Sequence, residues 1–379
     1  MSINNCRVCG NKFYAEPLLQ QTNMPSAAQY LPDAATLTND RGVNLELYQC
    51  SGCGLVQLNR DPVPYYKEVI RAAAVSAEMK NFRQKQFRAF VKKYSLKGKK
   101  MIEIGCGRGE YLSIMQQTGV DAYGLEYAGS AVAQGKETGL NVQQGFVHRQ
   151  AVKLKGAPFA AFFMLNFLEH LPEPNGTLKG IHNNLSDDGV GLVEVPNFNM
   201  MIQKNLFSEF IGDHLFYFTK DTLVITLKLN GFEVLDCAEV WHDYILSAVV
   251  KKRNKLNLLG FCKQQTKLKK EINGYLSRYG ANGVAVWGAG HQALAVIALT
   301  KIARKIKYVV DSAAFKQGKY TPATHVRIVH PDTLSSDPVG SVIVMAASYS
   351  DEVAKKLCRQ YGRNMKIAIL RDHGLEIVT

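Results

Sequence analysis

Met101-Ile-Glu-Ile-Gly-Cys-Gly-Arg-Gly-Glu-Tyr-Leu112 is the stretch on which the reading of this chain turns. It begins as a short apolar strand, passes through Gly105, Gly107 and Gly109, and runs at once into a helical pattern. Glycines at such a turn let the chain reverse tightly and let a ligand come up against the backbone. Outward from this turn, between residues 99 and 251, the runs KMIEIG, AYGLEY, FAAFFMLNF and GVGLVEVPN read as strands. Helical stretches such as EYLSIMQQTG separate them, and this alternation is the pattern of a doubly wound α/β sheet. The segment closes on EVLDCAEV and DYILSAVVKK. No helix-length gap separates the two, so an antiparallel pair is expected at the sheet edge.

The flanking sequence divides the chain into three expected units, 1–64, 65–251 and 252–379. The first holds two cysteine pairs, several turn residues and little helical periodicity, as in a small loop-rich unit organised by a metal rather than by a core. From about 65 to 98, YYKEVIRAAAVSAEMKNFRQKQFRAFVKKYSL repeats its apolar residues at three and four and predicts a helix leading into the second unit. The Lys-rich NKLNLLGFCKQQTKLKKEINGYLSRYG predicts another helix. It leads to GVAVWGAGHQALAVIAL, KYVVDS and VIVMAAS, the strand, glycine turn and helix of a second, smaller α/β domain.

Composition sets outer limits. The chain has 379 residues, 46% hydrophobic and 21% charged, the balance of a folded globular protein. No apolar run approaches the roughly 20 residues that span a bilayer, the opening MSINNCRVCG lacks an apolar signal region, and a cytoplasmic location is expected. The formal net charge of +14 favours anionic partners such as nucleotides or phosphates. Its basic residues gather around Lys80–Lys100 and Lys251–Lys270, as solvated helix faces also do.

Cys6-x-x-Cys9 and Cys50-x-x-Cys53 are two knuckles, each followed by a glycine, Gly10 and Gly54, that lets the backbone turn around an ion. Four thiolates make the tetrahedral set that Zn²⁺ prefers, and with four protein ligands the zinc is structural rather than catalytic. In the glycine turn Glu103 gives the spacing E-x-G-x-G-x-G, which resembles the first motif of class I S-adenosylmethionine-dependent methyltransferases. Glu126 ends the following strand about 20 residues on, where an acid accepts the ribose hydroxyls of a nucleoside cofactor. The same resemblance places Gln144, Gly145 and Phe146 beside the adenine and Asn166 beside the methionine part, in a largely parallel sheet with one antiparallel edge strand.

Histidines suited to proton transfer lie in Asn166-Phe-Leu-Glu-His170 and in Asp213-His214. A carboxylate beside a histidine orients or tunes it, which makes Asp213 a candidate partner for His214. Gly288-Ala-Gly290, with Asp311 about 20 residues on, mimics a dinucleotide fingerprint in the last unit.

The order of parts resembles the sugar C-methyltransferases that act on nucleotide-linked 4-keto-deoxysugars, over nearly the whole chain. That resemblance implies an amino-terminal zinc unit, a class I methyltransferase core and a carboxy-terminal Rossmann-like domain that contains Lys316-Gln-Gly-Lys-Tyr320. It implies S-adenosylmethionine as methyl donor and a nucleotide-diphosphate sugar as small-molecule substrate between the last two domains. In the family a Tyr-His-Glu-His-Leu segment supplies the base that makes an enolate. The matching Ile211-Gly212-Asp213-His214-Leu215 keeps the base as His214 and has Asp213 for the acid, with Ile211 and Gly212 at the tyrosine and first histidine. His170 matches a second histidine near the reacting centre.

Methylation of a hydroxyl or amine stays open beside C-methylation, since His214 serves as base for either. A zinc-containing nucleic-acid-binding protein is the alternative of another class, against which stand only two Trp and a knuckle spacing unlike a C2H2 finger. An NAD-dependent oxidoreductase built on the last domain is a third.

Overall fold

A computed structural model of the protein describes residues 4–29, 31–68 and 75–379, and its chain packs as two units, Met1–Asn254 and Lys255–Thr379. The first unit is built on a seven-stranded sheet. Its strands are β1 (Lys100–Ile104), β2 (Asp121–Glu126), β3 (Asn141–Gln144), β4 (Phe159–Leu165), β5 (Leu185–Pro196), β6 (Phe232–Val240) and β7 (Ile245–Lys252). They lie in the order β3-β2-β1-β4-β5-β7-β6. The first five run parallel, and β7 is antiparallel to both β5 and β6.

The pair β6 and β7 is thus at the edge as expected, but the reversed strand is one place in from it and β6 is outermost. Side-chain chemistry explains the exchange. β7 reads ILSAVVKK and is buried over its first four residues, whereas β6 buries only Phe232 and Cys237 and tolerates an edge.

Strand alternation sorts the apolar residues into two layers. Ile102, Ile104, Phe162, Met164, Val193 and Val195 face one side of the sheet. Met101, Ala161, Phe163 and Leu192 face the other, where they meet Phe87, Phe90 and Val91. These last three belong to the helix Ala77–Lys93, which Ser76 caps by accepting the Met79 N–H at 3.1 Å. The helix is shorter than the span of 65–98 read from periodicity. Tyr65, Tyr66 and Lys67 lie in turn, and the part of that span over 69–74 falls outside the described residues.

One ion pair fastens this helix to the sheet. Arg83 and Glu194, 1% and 0% exposed, pair beneath it. Gln86 and Ser247 also donate to the Glu194 carboxylate.

The cysteine segment is not the loop-rich, coreless unit that its turn residues led us to expect. Leu19–Met24, Val43–Gln49 and Val56–Leu58 form a sheet whose fourth strand, Phe216–Tyr217, comes from far along the chain. Leu45, Leu47, Val56 and Leu58 pack there with Phe198, Met200, Met201 and Tyr217.

The second unit is a separate α/β sheet in the order Ile328–Val329, Tyr308–Val310, Val284–Trp287, Ser341–Val344, Lys366–Leu370, Leu375–Ile377. All but the last strand are parallel. Val284 and Val286 point into one apolar layer and Ala285 and Trp287 into the other. Among the described residues no helix is long and apolar enough to cross a membrane.

Glu194→Ala strands the Arg83 guanidinium in the core without its carboxylate. It should lower the unfolding free energy of the first unit by about 3–5 kcal/mol, read as a reduced denaturant midpoint. A loss under about 1 kcal/mol would show that the pair does not hold the helix to the sheet.

Candidate active site

The chain leaves β1 through Gly105, Gly107 and Gly109, all at positive φ (+72°, +55° and +90°). Glu126, at the end of β2 and 7% exposed, braces this turn. Its Oε2 accepts the Gly107 N–H at 2.8 Å and its Oε1 the Ala128 N–H at 2.9 Å. A carboxylate has about four acceptor positions, so both oxygens keep capacity for further donors.

Gly105, Glu126, Gly145 and Phe146 line one cleft together with Lys67, Tyr127 and Phe167. The Lys67 ammonium lies over the rings of Tyr127, Phe146 and Tyr66, at 5.0, 5.4 and 5.6 Å from their centres. Asn166 follows β4 at φ +49° and donates its N–H to Glu194 O at 2.8 Å. The Gln144 side chain turns to the Tyr127 carbonyl at 3.2 Å. Glu103 is buried within β1, and its charge, with that of Glu126, adds to the burial that pushes the Cys106 thiol far up.

Beyond Asn166 the turn Leu168–His170 and the loop before Phe216–Tyr217 come together. The Leu215 N–H donates to Glu169 O at 2.8 Å. His170 Nδ1 stands 2.8 Å from Asp213 O; a carbonyl only accepts, so Nδ1 carries the proton and Nε2 keeps its lone pair. The His170 and His214 rings meet edge to face with centroids 4.8 Å apart. Burial lowers both histidines, His214 to about 3 with His170 adding to the effect. Glu169 lies 3.8 Å from His170 Nε2, and burial pushes its carboxyl up to about 8.

Asp213 sits beside His214 in sequence, but its carboxylate points elsewhere. Oδ1 accepts the Ala28 N–H at 2.9 Å and Oδ2 the Tyr65 hydroxyl at 2.7 Å. Desolvation and the Asp213 carboxylate together push Tyr65 up to about 12. The orienting acid expected for His214 is therefore an anchor for the amino-terminal segment, and the group it orients is His170, through its backbone carbonyl. Sequence reading missed Tyr65, which periodicity had absorbed into a helix. It also passed over Glu169 and Lys67, for which no spacing signal exists.

The four knuckle cysteines converge, with sulfurs within 4.8 Å of one another. Cys6 and Cys53 stand 3.7 Å apart and Cys9 and Cys50 3.3 Å. Val8 N–H and the Gln57 amide point at the Cys6 sulfur, at 3.4 and 3.0 Å, and Gly52 N–H at the Cys50 sulfur, at 3.3 Å. The Cys6 thiol is lowered to about 5, chiefly by its hydrogen bond with Cys53. Converging sulfurs with N–H donors aimed at them fit a thiolate-ligated metal ion.

In the second unit Asp311 accepts the Ala289 N–H at 2.7 Å and the Ala313 N–H at 2.9 Å, and pairs with Lys316 at 2.9 Å. The acid of the apparent dinucleotide fingerprint is thus engaged by its own turn and a lysine.

Two family models match the chain: a methyltransferase domain over residues 79–236 and a C-methyltransferase C-terminal domain over 250–369. The C-methyltransferase NovU of Streptomyces niveus is 21% identical over 93% of this chain and 91% of its own length. The ubiquinone biosynthesis O-methyltransferase of Bordetella avium is 28% identical over 22% of this chain and 37% of its own length. Among solved structures, the PH0226 protein of Pyrococcus horikoshii covers 50% of this chain and 96% of its own, at 14% identity and a TM-score of 0.40. The glycine turn with its bracing acid lies inside the first matched segment, and the second coincides with nearly all of the second unit. The chain is an S-adenosylmethionine-dependent methyltransferase of class I fold that resembles the C-methyltransferases.

Proposed function

We propose that this enzyme methylates a carbon next to the ketone of a nucleotide-linked sugar, with His214 as the base that removes the proton from that carbon. The observation that carries the reading is the meeting of His170 and His214, ring centroids 4.8 Å apart, with His170 on the turn that follows directly from Phe167 in the lining of the cleft. Resemblance to C-methyltransferases along both units supports carbon as the acceptor. The net charge of +14 suits a diphosphate-bearing substrate.

S-adenosylmethionine supplies a methyl group on a positively charged sulfur. Glu126 offers its remaining lone pairs to the ribose hydroxyls, and Phe146 offers a ring face to the adenine. Gly105 must lack a side chain, because a Cβ there would come within 2.9 Å of the Phe167 ring at φ +72°. Burial keeps His214 neutral with its lone pair free, and the same burial makes it a weaker base by disfavouring the imidazolium. The electron pair left on the substrate carbon forms the new carbon–methyl bond as the sulfur–methyl bond breaks. His170 stands beside the resulting imidazolium, oriented by Asp213 O, and Asp213 with Tyr65 holds the loop in place. We infer Zn²⁺ for the four cysteines, with no open position and a structural part to play.

Methylation of a hydroxyl is a second reading. Ile211 stands where the resembled family has a tyrosine, and an oxygen acceptor needs no enolate-stabilising phenol.

Glu126→Ala should weaken S-adenosylmethionine binding by about ten- to a hundredfold in calorimetry, the loss of charge-assisted bonds to the ribose. Unchanged affinity would remove Glu126 from the cofactor site. His214→Ala should lower kcat by about 10²–10⁴ with cofactor affinity retained. It should also abolish exchange of the sugar's α-hydrogen with deuterated water in the presence of S-adenosylhomocysteine, whereas persistent exchange would assign the base elsewhere. Removing the metal with a thiol-compatible chelator should release about one zinc per chain and expose the segment 4–68 to proteolysis. A chain that holds no zinc when isolated and resists protease would defeat that assignment.

A further inference from the structure

Glu169, His170 and His214 form a second group of metal-competent side chains, with ligand atoms within 4.8 Å of one another. We infer that this group is a site for a first-row divalent cation such as Zn²⁺, Co²⁺, Mn²⁺ or Fe²⁺, and that filling it silences His214 as a base. The silencing rests on the base role proposed above; the site itself does not.

Two imidazoles and one carboxylate are a donor set that first-row divalent ions accept, with positions left open on the ion. His170 is prepared for ligation, since its Nδ1 proton is spent on Asp213 O and Nε2 is left as the free lone pair facing Glu169 at 3.8 Å. A carbonyl that fixes the outer nitrogen of a ligating histidine is the usual support of such sites. An independent observation points the same way. Glu169 is 1% exposed, and its Oε2 is buried without a hydrogen-bond partner among the described residues. A buried carboxyl oxygen of this kind is costly unless something cationic or protic meets it. An ion at about 2.1 Å from each ligand requires them roughly 3.4 Å apart, so rotations of the side chains over about an ångström close the set. The softer thiolate cluster competes poorly for Mn²⁺ or Fe²⁺, and the two sites differ in kind. Once His214 gives its lone pair to the ion, it has none for a substrate proton.

The test titrates the zinc-loaded full chain with cobalt(II) chloride, following metal content after desalting and the visible absorption of the bound ion. A second equivalent is expected, with bands of nitrogen and oxygen ligation and no new thiolate charge-transfer band. Glu169→Gln and His170→Gln should each weaken its uptake more than about tenfold, with S-adenosylmethionine binding retained as the sign of an intact fold. Absence of a second equivalent, or one that survives both substitutions, overturns the site. Methyl transfer followed along the same titration separates the two inferences. Uptake that tracks loss of turnover supports both, whereas uptake with turnover unchanged upholds the site and overturns His214 as the base.

Discussion

The hydrogen bonds of Asp213 are the constraint on which the candidate active site depends. This residue is 5% exposed, and a charge so placed must be fully engaged or the fold carries its desolvation cost. Its two oxygens take Ala28 N–H and the Tyr65 hydroxyl, and its own carbonyl takes His170. Three segments far apart in sequence therefore share one anchor. Because a carboxylate without its donors would be penalised by more than a single lost bond, the arrangement tolerates little drift, and His214 inherits that rigidity from its neighbour.

The same anchor ties the cysteine segment to the chemistry. Gln57 bridges from the Cys6 sulfur to the Arg7 N–H, and Asn175, on the helix after β4, donates to Val8 O at 2.7 Å. Val56–Leu58 pairs with Phe216–Tyr217, two residues beyond His214. An ion held by the four sulfurs would have no place in the reaction itself, and the energy it gave to the segment would go into the register of the strand that follows the histidine. A metal bound there would act through backbone pairing.

Much of this was legible in the sequence because local chemistry dictated it. The glycines of 105–109 require positive φ, Glu126 is fixed by the length of one strand–helix–strand step, and the cysteine knuckles declare their geometry in four residues each. What escaped was set by partners distant along the chain. The helix expected from 65 is observed from Ala77, where Ser76 caps it, and Tyr65 stands instead in a turn held by Asp213, 148 residues away, a pull that no periodicity records. The reversed strand β7 is inside the edge because it is the more apolar member of its pair, a comparison that the hairpin alone does not make. The small sheet over 19–58 escapes local reading because its fourth strand, Phe216–Tyr217, is borrowed from far along the chain.

A comparison of the two glycine turns shows how far a fingerprint goes. In each unit an acid at the end of the second strand accepts an N–H from the turn after the first: Glu126 from Gly107, and Asp311 from Ala289. Sequence spacing treats them alike. Their surroundings do not, because Asp311 has a lysine on one oxygen and a second backbone N–H on the other, whereas both bonds to Glu126 come from neutral amides. A carboxylate neutralised by an ammonium loses most of its pull on a ribose diol, while one facing only N–H groups keeps it. The difference between the two turns therefore lies in a single cation, Lys316, five residues beyond the acid and outside any glycine pattern.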